Sequence, residues 1–254
     1  EACNNSVEKI IVIGGDGTVS ETITGVRSTE FSPSVGILNL GTGGDFCKTI
    51  GVPTDINLAL DKILVGKTIS SDIGRIQFIK NDGTPGERNF INITGCGMSG
   101  EVVRTINKSK KMFGGFSYYL ASLQNFLSYK NRRLRIVLDD KEEKEFKVVN
   151  LAICNGQYFG GGMQISPESQ ISDGYLNIVV VGDWGYFAKI IHSGKLYNGS
   201  ILSVSEVYSF KAKKIKVIPL DSEPPFTYID NDGEDIGYIP LEAEVIPGCV
   251  NIIV

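Results

Sequence analysis

The chain contains one histidine and no closely spaced cysteine pair, and both shortages exclude common functional chemistries. His192 is the sole histidine among 254 residues, so a histidine-held metal centre is nearly excluded and a histidine triad would depend on that residue alone. The five cysteines never form a C-x-x-C pair; they are Cys3, Cys47, Cys96, Cys154 and Cys249. We therefore expect neither a disulfide framework nor a zinc site, and we expect a reducing, cytoplasmic location.

The sequence also lacks a large charge excess and a long apolar run. Its 25 basic and 29 acidic residues give a net charge of −4, so we expect no nucleic-acid partner. The longest apolar runs, such as Lys9–Ile13 and Asn177–Val181, are far shorter than the ~20 residues of a membrane span. No signal peptide is visible, and the pattern opens one strand into an α/β unit, so we expect a further such unit before Glu1.

Glycine, in contrast, is abundant. The chain has 30 glycines in 254 residues, whereas the usual share is about 7%. The length predicts roughly one to two domains with a substantial core, and 42% hydrophobic residues are typical of a soluble globular protein. The excess glycine therefore indicates many tight turns or close backbone approaches.

The first 70 residues alternate between strand and helix patterns. Lys9–Ile13 and Val35–Leu40 are short β-branched runs, and each is followed by a glycine-rich turn and a helical pattern. The helices are predicted at Thr18–Val26, near Asp45–Ile50 and at Ile56–Leu64, the last with Ile56, Leu60, Ile63 and Leu64 on one face. Strand, glycine turn and helix in succession predict a parallel sheet with crossover helices.

From about Ser70 onward, short strands separated by turn residues dominate. Asn81–Gly83 and Asn231–Gly233 are hairpin-type turns, and helical spacing occurs only around Ser117–Tyr129 and Asp183–Leu196. This part predicts an antiparallel β-sandwich or barrel. We place the boundary near residues 66–74, which gives an α/β domain at 1–70 and a β-sandwich domain at 71–254.

A glycine-rich loop, Gly14–Thr18, lies between the first strand and the first helix. Glycines there allow backbone N–H groups to approach a phosphate, and Thr18 with Glu21 fits a capping box. Asp16 would repel phosphate unless a divalent cation bridged the two, so the loop indicates a nucleotide bound with Mg²⁺. The alternative is an ordinary strand–helix turn in which Asp16 serves as a cap.

A second loop, Gly41–Phe46, repeats this chemistry. Because the carboxyl ends of parallel strands line one crevice, both loops should open on the same side. Asp16 and Asp45 would then flank one polyphosphate.

Two other phosphate-binding templates fail. The pattern G-x-x-x-x-G-K-[ST] is absent. G-x-G-x-x-G occurs at Gly95, Gly97 and Gly100, but no Asp or Glu lies between Val102 and Leu138 to hold a ribose, so we interpret this match as a turn.

With these motifs the sequence resembles the diacylglycerol kinase catalytic-domain family, in its soluble bacterial lipid-kinase branch. The likeness extends over nearly the whole chain. The matching positions are Gly14–Thr18 with Glu21 and Gly25, Gly41, Thr42, Asp45 and Phe46, Gly51–Pro53, Asp72–Gly74, Asn92, Gly95 and Gly97, Asn155 and Gly156, Gly160–Met163, Pro167, Asp173–Leu176, Asp232–Glu234 and Pro240. The family usually carries G-T-x-N-D in its second loop, and here Gly44 replaces the Asn.

The resemblance implies a phosphofructokinase- or NAD-kinase-like α/β domain followed by a β-sandwich. It also implies transfer of the γ-phosphate of ATP to the hydroxyl of diacylglycerol or a related lipid, with Mg²⁺. Asp16 and Asp45 would surround the transferred phosphate and metal, and Glu234, with Asp232 beside it, would take the hydroxyl proton. The implied nucleotide contacts are Gly14, Gly15, Asp16, Gly17, Thr18, Glu21, Gly41 and Thr42. Asp173, with the backbone carbonyls of Gln170 and Tyr175, would hold a second, structural Mg²⁺.

Several alternatives stay open. The acidic turn at 229–234 could be a solvated hairpin, as Asn81–Gly83 also illustrates. Between Arg104 and Arg135 lie eight basic residues, seven aromatic or Met residues and no acidic ones, which fits either an anionic membrane surface or a solvated helix face. Binding to an anionic membrane surface would predict a cytoplasmic enzyme at the inner face of the membrane. Such an enzyme would act on a lipid alcohol as a monomer or homodimer. The rival functions are an NAD-kinase-like enzyme with a soluble acceptor and a non-catalytic nucleotide or lipid sensor.

Overall fold

A computed structural model describes residues 7–28, 32–109, 129–221 and 226–254. The first part of the chain alternates strands and helices as predicted. Its elements are β1 (Lys9–Gly14), α1 (Asp16–Arg27), β2 (Ser34–Asn39), α2 (Asp45–Ile50) and α3 (Ile56–Val65). β1 and β2 pair in parallel from Lys9 opposite Ser34 to Gly14 opposite Asn39, so both glycine loops leave the same edge of the sheet.

Antiparallel strands dominate the remaining described residues. The elements are β3 (Thr68–Lys80), β4 (Pro85–Phe90), β5 (Ile93–Gly97), α4 (Met98–Ser109), β6 (Arg132–Leu138), β7 (Glu142–Val148), β8 (Asn150–Cys154), β9 (Tyr158–Phe159), β10 (Met163–Gln164), β11 (Leu176–Val181), α5 (Tyr186–Tyr197), β12 (Val207–Ala212), β13 (Lys214–Pro219), β14 (Tyr228–Asn231) and β15 (Glu234–Ile253). The main strand order is β12-β11-β8-β5-β14-β15-β13-β6-β7. Both predicted hairpin turns are confirmed, since they connect β3 to β4 and β14 to β15.

Two long strands tie the parallel and antiparallel parts together. β3 and β15 pair in antiparallel fashion over most of their lengths, and the end of β15 also runs parallel to β2 at Asn251 and Ile252. The core around β1, β2 and α1 accordingly contains Val250 and Ile252 from the end of the chain. The hairpin at the start of β15 is therefore connected through a single strand to the sheet that carries the glycine loops.

Apolar side chains of the described residues form three buried clusters. One packs helices α1–α3 on the parallel strands, a second fills the interior of the antiparallel strands, and a third lies under α5. His192 of α5 packs against Trp184, with ring centroids 5.0 Å apart, as expected for a packing residue. Among the described residues, no helix is long and apolar enough to cross a membrane.

Of the four residues predicted to share one apolar face of α3, only Ile63 is buried. Ile56, Leu60 and Leu64 are exposed, whereas Ala59 and Ile63 are buried. The reason lies on β2, because a Cβ at Gly36 would come within 3.0 Å of Ile63 Cγ1. Ile63 therefore packs against β2 at Gly36, where no side chain occupies the space. This contact fixes the rotation of α3.

The G-x-G-x-x-G match is not a turn, contrary to the prediction. Gly95 and Gly97 lie in β5, and Gly100 lies in the first turn of α4. A Cβ at Gly97 would be 2.8 Å from Val149 O, and one at Gly100 would overlap the carbonyl of Tyr228. These glycines therefore let strands and a helix pack closely. Positions 117–128 of the predicted helix and most of the basic, aromatic stretch fall on residues 110–128, outside the described residues.

Candidate active site

The two glycine loops contact each other through their backbones. A Cβ at Gly41 would lie 2.5 Å from the Cα of Gly15, and a Cβ at Gly15 would lie 3.2 Å from the Cα of Gly41. Since real Cβ atoms essentially never approach another heavy atom within 3.0 Å, Gly41 requires glycine, whereas a side chain at Gly15 would make a tight contact that demands a small shift. Leu40 N donates to Gly14 O at 3.1 Å and holds the loops together.

Asp16 of the first loop caps the helix that follows the second loop. Its Oδ2 accepts the N–H of Asp45 and its Oδ1 accepts the N–H of Phe46, each at 3.2 Å. Asp16 is also the first residue of α1, so its carboxylate lies at the N-terminal ends of two helices, where helix dipoles stabilise negative charge. The predicted capping box is wrong, because α1 begins at Asp16 with Gly15 as its N-cap, which leaves Thr18 inside the helix.

Asp45 is buried and joins the second loop to a distant glycine turn. Its Oδ2 accepts the N–H of Gly161 at 2.8 Å, and Gly160, Gly161 and Gly162 all have positive φ in the turn between β9 and β10. A Cβ at Gly43 would lie 2.8 Å from Asp16 Oδ2 and 4.0 Å from Asp45 Oδ2. The two carboxylates therefore converge beside Gly43, as predicted from the parallel strands.

Lys48 is a site residue that the sequence did not reveal. Its Nζ lies 3.2 Å from Asp45 Oδ1, donates to Gly43 O at 3.1 Å, and would be 3.1 Å from a Cβ at Gly162. The ammonium thus lies between the second loop and the glycine turn. Its position one turn after Asp45 on α2 is the only sequence signal that could have indicated it.

The other predicted nucleotide contacts are accessible. Gly17, Thr18, Glu21 and Thr42 are exposed, whereas Gly14, Gly15 and Gly41 are half-buried. A nucleotide can therefore reach both loops, and the assignment of these residues as its contacts stays a prediction.

Asp232 brings the acidic hairpin against the helix of the first loop. Its Oδ2 accepts from Ser20 Oγ at 2.9 Å, and Ser20 lies one turn after Asp16 on α1. The carboxylate also accepts three backbone N–H groups at the β4–β5 connection and the start of β5, from Ile91 at 2.8 Å, Asn92 at 3.1 Å and Ile93 at 3.0 Å. Burial raises the pKa of Asp232, and these four donors oppose the rise. The hairpin is therefore fixed beside the glycine loops and is more than a solvated turn.

Glu234 faces a different partner. Its carboxylate pairs with Arg88 at 3.3 Å, and about half of its side chain is exposed. Among the described hydrogen bonds and ion pairs, none joins Glu234 to Asp16, Asp45 or Asp232. The structure thus places Glu234 on the correct hairpin but outside the Asp16–Asp45 network, and its role as proton acceptor stays a prediction.

Asp230 is a second hairpin carboxyl with unusual surroundings. Burial raises its pKa to about 7, although the N–H of Gly233 donates to its Oδ1 at 2.9 Å and opposes the rise. The unfolded chain releases this proton near the ordinary aspartate pKa, whereas the folded protein keeps it until about pH 7. Between about pH 4 and about pH 7 the folded state therefore binds one proton more than the unfolded state. Stability contributed by this site therefore falls as pH rises through that range.

We expect Asp230→Asn to raise the free energy of unfolding by about 1–3 kcal/mol at about pH 8, because the variant buries no charge. The amide oxygen can still accept from Gly233. The gain should shrink steadily toward about pH 5, as measured by urea unfolding across pH. Asp140→Asn is the control, since Lys216 holds the pKa of that exposed carboxyl below its ordinary value. A pH-independent gain at Asp230 would contradict this assignment.

The predicted structural metal site contains a competing cation. Asp173 Oδ2 lies 2.8 Å from Lys211 Nζ, and its Oδ1 accepts the N–H of Tyr175 at 3.0 Å. A divalent cation held by Asp173 and the carbonyls of Gln170 and Tyr175 would have to displace this ammonium. These three residues therefore fit Mg²⁺ poorly as arranged here, and the structural metal stays a prediction.

The Asp16–Asp45 pair differs from the Asp173 site in lying beside the glycine loops, although a cation there would also have to share Asp45 with the Lys48 ammonium. Within the described ranges, no group of three or more His, Cys, Asp or Glu side chains could hold a metal alone. Mg²⁺ is commonly bound by one or two carboxylates together with substrate phosphates, so a converging pair of carboxylates beside a phosphate loop matches its preference. The donors are all hard oxygens, as this ion requires.

The comparisons with known proteins agree with this arrangement. Residues 1–76 match the diacylglycerol kinase catalytic domain, and residues 92–254 match the YegS C-terminal NAD kinase beta sandwich-like domain. A diacylglycerol kinase of Staphylococcus carnosus is 28% identical over 242 residues, which cover 94% of this chain and 74% of that protein. A YegS-like lipid kinase of Klebsiella pneumoniae is 35% identical over 179 residues, 70% of this chain and 57% of that protein.

Solved structures give the same result. A diacylglycerol kinase from Bacillus anthracis superimposes with a TM-score of 0.71 at 27% identity, covering 98% of this chain and 77% of that one. Yeast NADH kinase shares the fold alone, with a TM-score of 0.54 at 14% identity over 96% of this chain and 57% of that one. The predicted combination of an α/β part and a β-sandwich is thereby confirmed.

Fold and site together define a kinase of the architecture that NAD kinases and lipid kinases share. Within that class, the chain belongs to the diacylglycerol kinase family, in the branch of bacterial diacylglycerol kinases and YegS-like lipid kinases.

Proposed function

We propose that this protein transfers the γ-phosphate of ATP to the hydroxyl of diacylglycerol or a related lipid alcohol, with Mg²⁺. The observation that carries the proposal is the Ser20–Asp232 hydrogen bond, because it fixes the acidic hairpin to the helix that begins at the first glycine loop. A phosphate on the loops and a hydroxyl beside the hairpin would then share one site. Phosphoryl transfer depends mainly on such positioning and charge neutralisation.

The residues of the site divide the work between them. Backbone N–H groups of the two glycine loops bind the phosphates, and Lys48 neutralises phosphate charge from the side of Asp45. Asp16 and Asp45 would hold Mg²⁺, which supplies further charge neutralisation when bound. The lipid oxygen attacks the γ-phosphorus, the bond to the ADP oxygen breaks, and the hydroxyl proton passes to Glu234. Asp232 holds the hairpin in place for this transfer.

The test is a comparison of acceptors with radiolabelled ATP and Mg²⁺. We expect label in phosphatidic acid when diacylglycerol is supplied in mixed micelles, and none in NADP when NAD is supplied. Label in NADP alone would contradict the lipid proposal and favour a soluble acceptor. The acceptors tested should also include other lipid alcohols, among them sphingoid bases. ATP binding without transfer to any of these acceptors would favour a sensor.

An exposed apolar face on α5 supports contact with a membrane that contains the lipid. Phe187, Ile191 and Tyr197 are 77%, 70% and 64% exposed, and Tyr186 and Ile190 lie on the same side of the helix. α5 contains no acidic residue. A Cβ at Gly199, just after α5, would overlap Gln164 of β10, and the β9–β10 turn binds Asp45. The β9–β10 hairpin thus separates this apolar face from the site. We propose that the apolar face of α5 contacts the inner surface of the membrane.

We expect the double variant Phe187→Ser, Ile191→Ser to bind vesicles of anionic phospholipid at least about tenfold more weakly, because one aromatic and one aliphatic side chain could no longer insert into the lipid. Sedimentation with vesicles measures this directly. Leu64→Ser is the matched control, because Leu64 is 79% exposed on α3. Equal binding by both variants would show that α5 does not contact lipid.

A further inference from the structure

Gly44, where the family usually carries Asn, lies against the side chain of Asn39. Gly44 is the N-cap of α2 and has left-handed backbone angles, φ 61° and ψ 34°. A Cβ at this position would overlap the amide nitrogen of Asn39 and lie 3.0 Å from Asn39 Cγ. The left-handed region accepts Asn better than most residues, so the obstacle to a side chain at position 44 is the neighbouring amide.

Asn39 is the last residue of β2, and its side chain extends along the second loop. Its Oδ1 accepts the N–H of Gly41 at 3.1 Å. Among the hydrogen bonds of the described residues, none has its Nδ2 as donor, and this nitrogen occupies the space that a Cβ at position 44 would need. The amide therefore spans the loop from Gly41 to Gly44.

This bridge holds the two parts of the loop that contact the rest of the site. At one end Gly41 packs on the backbone of Gly15, and at the other end Asp45 and Phe46 donate to Asp16. A shift of the Gly41–Gly44 segment would therefore move both the contact between loops and the paired carboxylates. Shifts of about 1 Å in such a site can cost about 100-fold in rate.

We propose that Asn39 is a positioning residue that takes over the role of the missing side chain at position 44 and so holds the second loop in shape for the nucleotide. The proposal rests on the proposed function, since it assumes that the second loop binds ATP. The space between positions 39 and 44 then holds one amide side chain, from either position, but not two. Loss of the Asn in the G-T-x-N-D pattern is thus compensated by the last residue of the strand that precedes the loop.

The test uses Asn39→Ala, Gly44→Asn and the double variant, with Asn57→Ala as the matched control. Asn57 is an exposed Asn on α3, so its replacement removes the same group outside the site. We expect Asn39→Ala to raise the KM for ATP about tenfold or more, and Gly44→Asn to be impaired at least as much because two side chains overlap. The double variant should recover to within about threefold of wild type, and Asn57→Ala should match wild type.

The outcome distinguishes this inference from the proposed function. If wild type phosphorylates no acceptor, the dissociation constant for ATP replaces KM and the same order of variants is expected. If wild type does not bind ATP, the proposed function fails, and this inference, which assumes ATP on the second loop, fails with it. An unchanged KM for Asn39→Ala, or a double variant whose losses equal the product of the two single losses, would overturn the proposal.

Discussion

Asp45→Asn is expected to lower kcat about 10²–10³-fold while the protein stays folded. The amide retains the shape of the carboxylate but removes the negative charge that Lys48 and a bound Mg²⁺ would share. It also directs an NH₂ group at the N–H of Gly161 or at Lys48, both of which are donors. A micelle assay at saturating ATP measures the loss, and circular dichroism confirms the fold.

Asp61→Asn is the control for this experiment, because Asp61 is an exposed carboxylate on α3, and none of the hydrogen bonds described for the site involves it. It should retain wild-type activity. A kcat for Asp45→Asn within about threefold of wild type would remove Asp45 from the reaction and leave it as a structural link to the β9–β10 turn.

Asp232→Ala should be the most destabilising change in the site. It leaves the N–H groups of Ile91, Asn92 and Ile93 without their acceptor and also breaks the bond to Ser20. Asp232 has a φ of 49°, which Ala adopts less readily than Asp or Asn. We expect a loss of about 3–5 kcal/mol in the free energy of unfolding, measured by urea denaturation.

Two further variants separate the stability effect from the link to α1. Ser20→Ala removes only that link and should cost about 1 kcal/mol. Asp232→Asn keeps one acceptor oxygen and should fall between the two. If Asp232→Ala is no less stable than Ser20→Ala, the three backbone contacts do not hold the hairpin in solution.

The sequence predicts those features that depend on neighbouring residues. The strand, glycine turn and helix that carry Asp16 are local patterns, and the repeat at Asp45 follows from them. Convergence of the two carboxylates follows from the rule that parallel strands end at one edge. These predictions agree with the structure because the local signals and the long-range packing favour the same arrangement.

Features that depend on distant packing were missed or predicted wrongly. Lys48 belongs to the site because a turn more than 100 residues later, at Gly160–Gly162, lies against it. The rotation of α3 depends on Gly36 of β2, and the glycines of β5 and α4 serve close packing. Asp232 could be selected from the family resemblance, but its contact with Ser20 crosses 212 positions and has no local signal.

Hydrogen exchange with and without a non-hydrolysable ATP analogue and Mg²⁺ tests most directly whether the loops and the hairpin form one site. Simultaneous slowing of exchange in residues 14–21, 41–46, 160–162 and 230–234 is the predicted result, because one ligand would order all four segments. Slowing confined to other parts of the chain, or slowing in both glycine loops with residues 230–234 unaffected, would contradict a shared phosphoryl-transfer site.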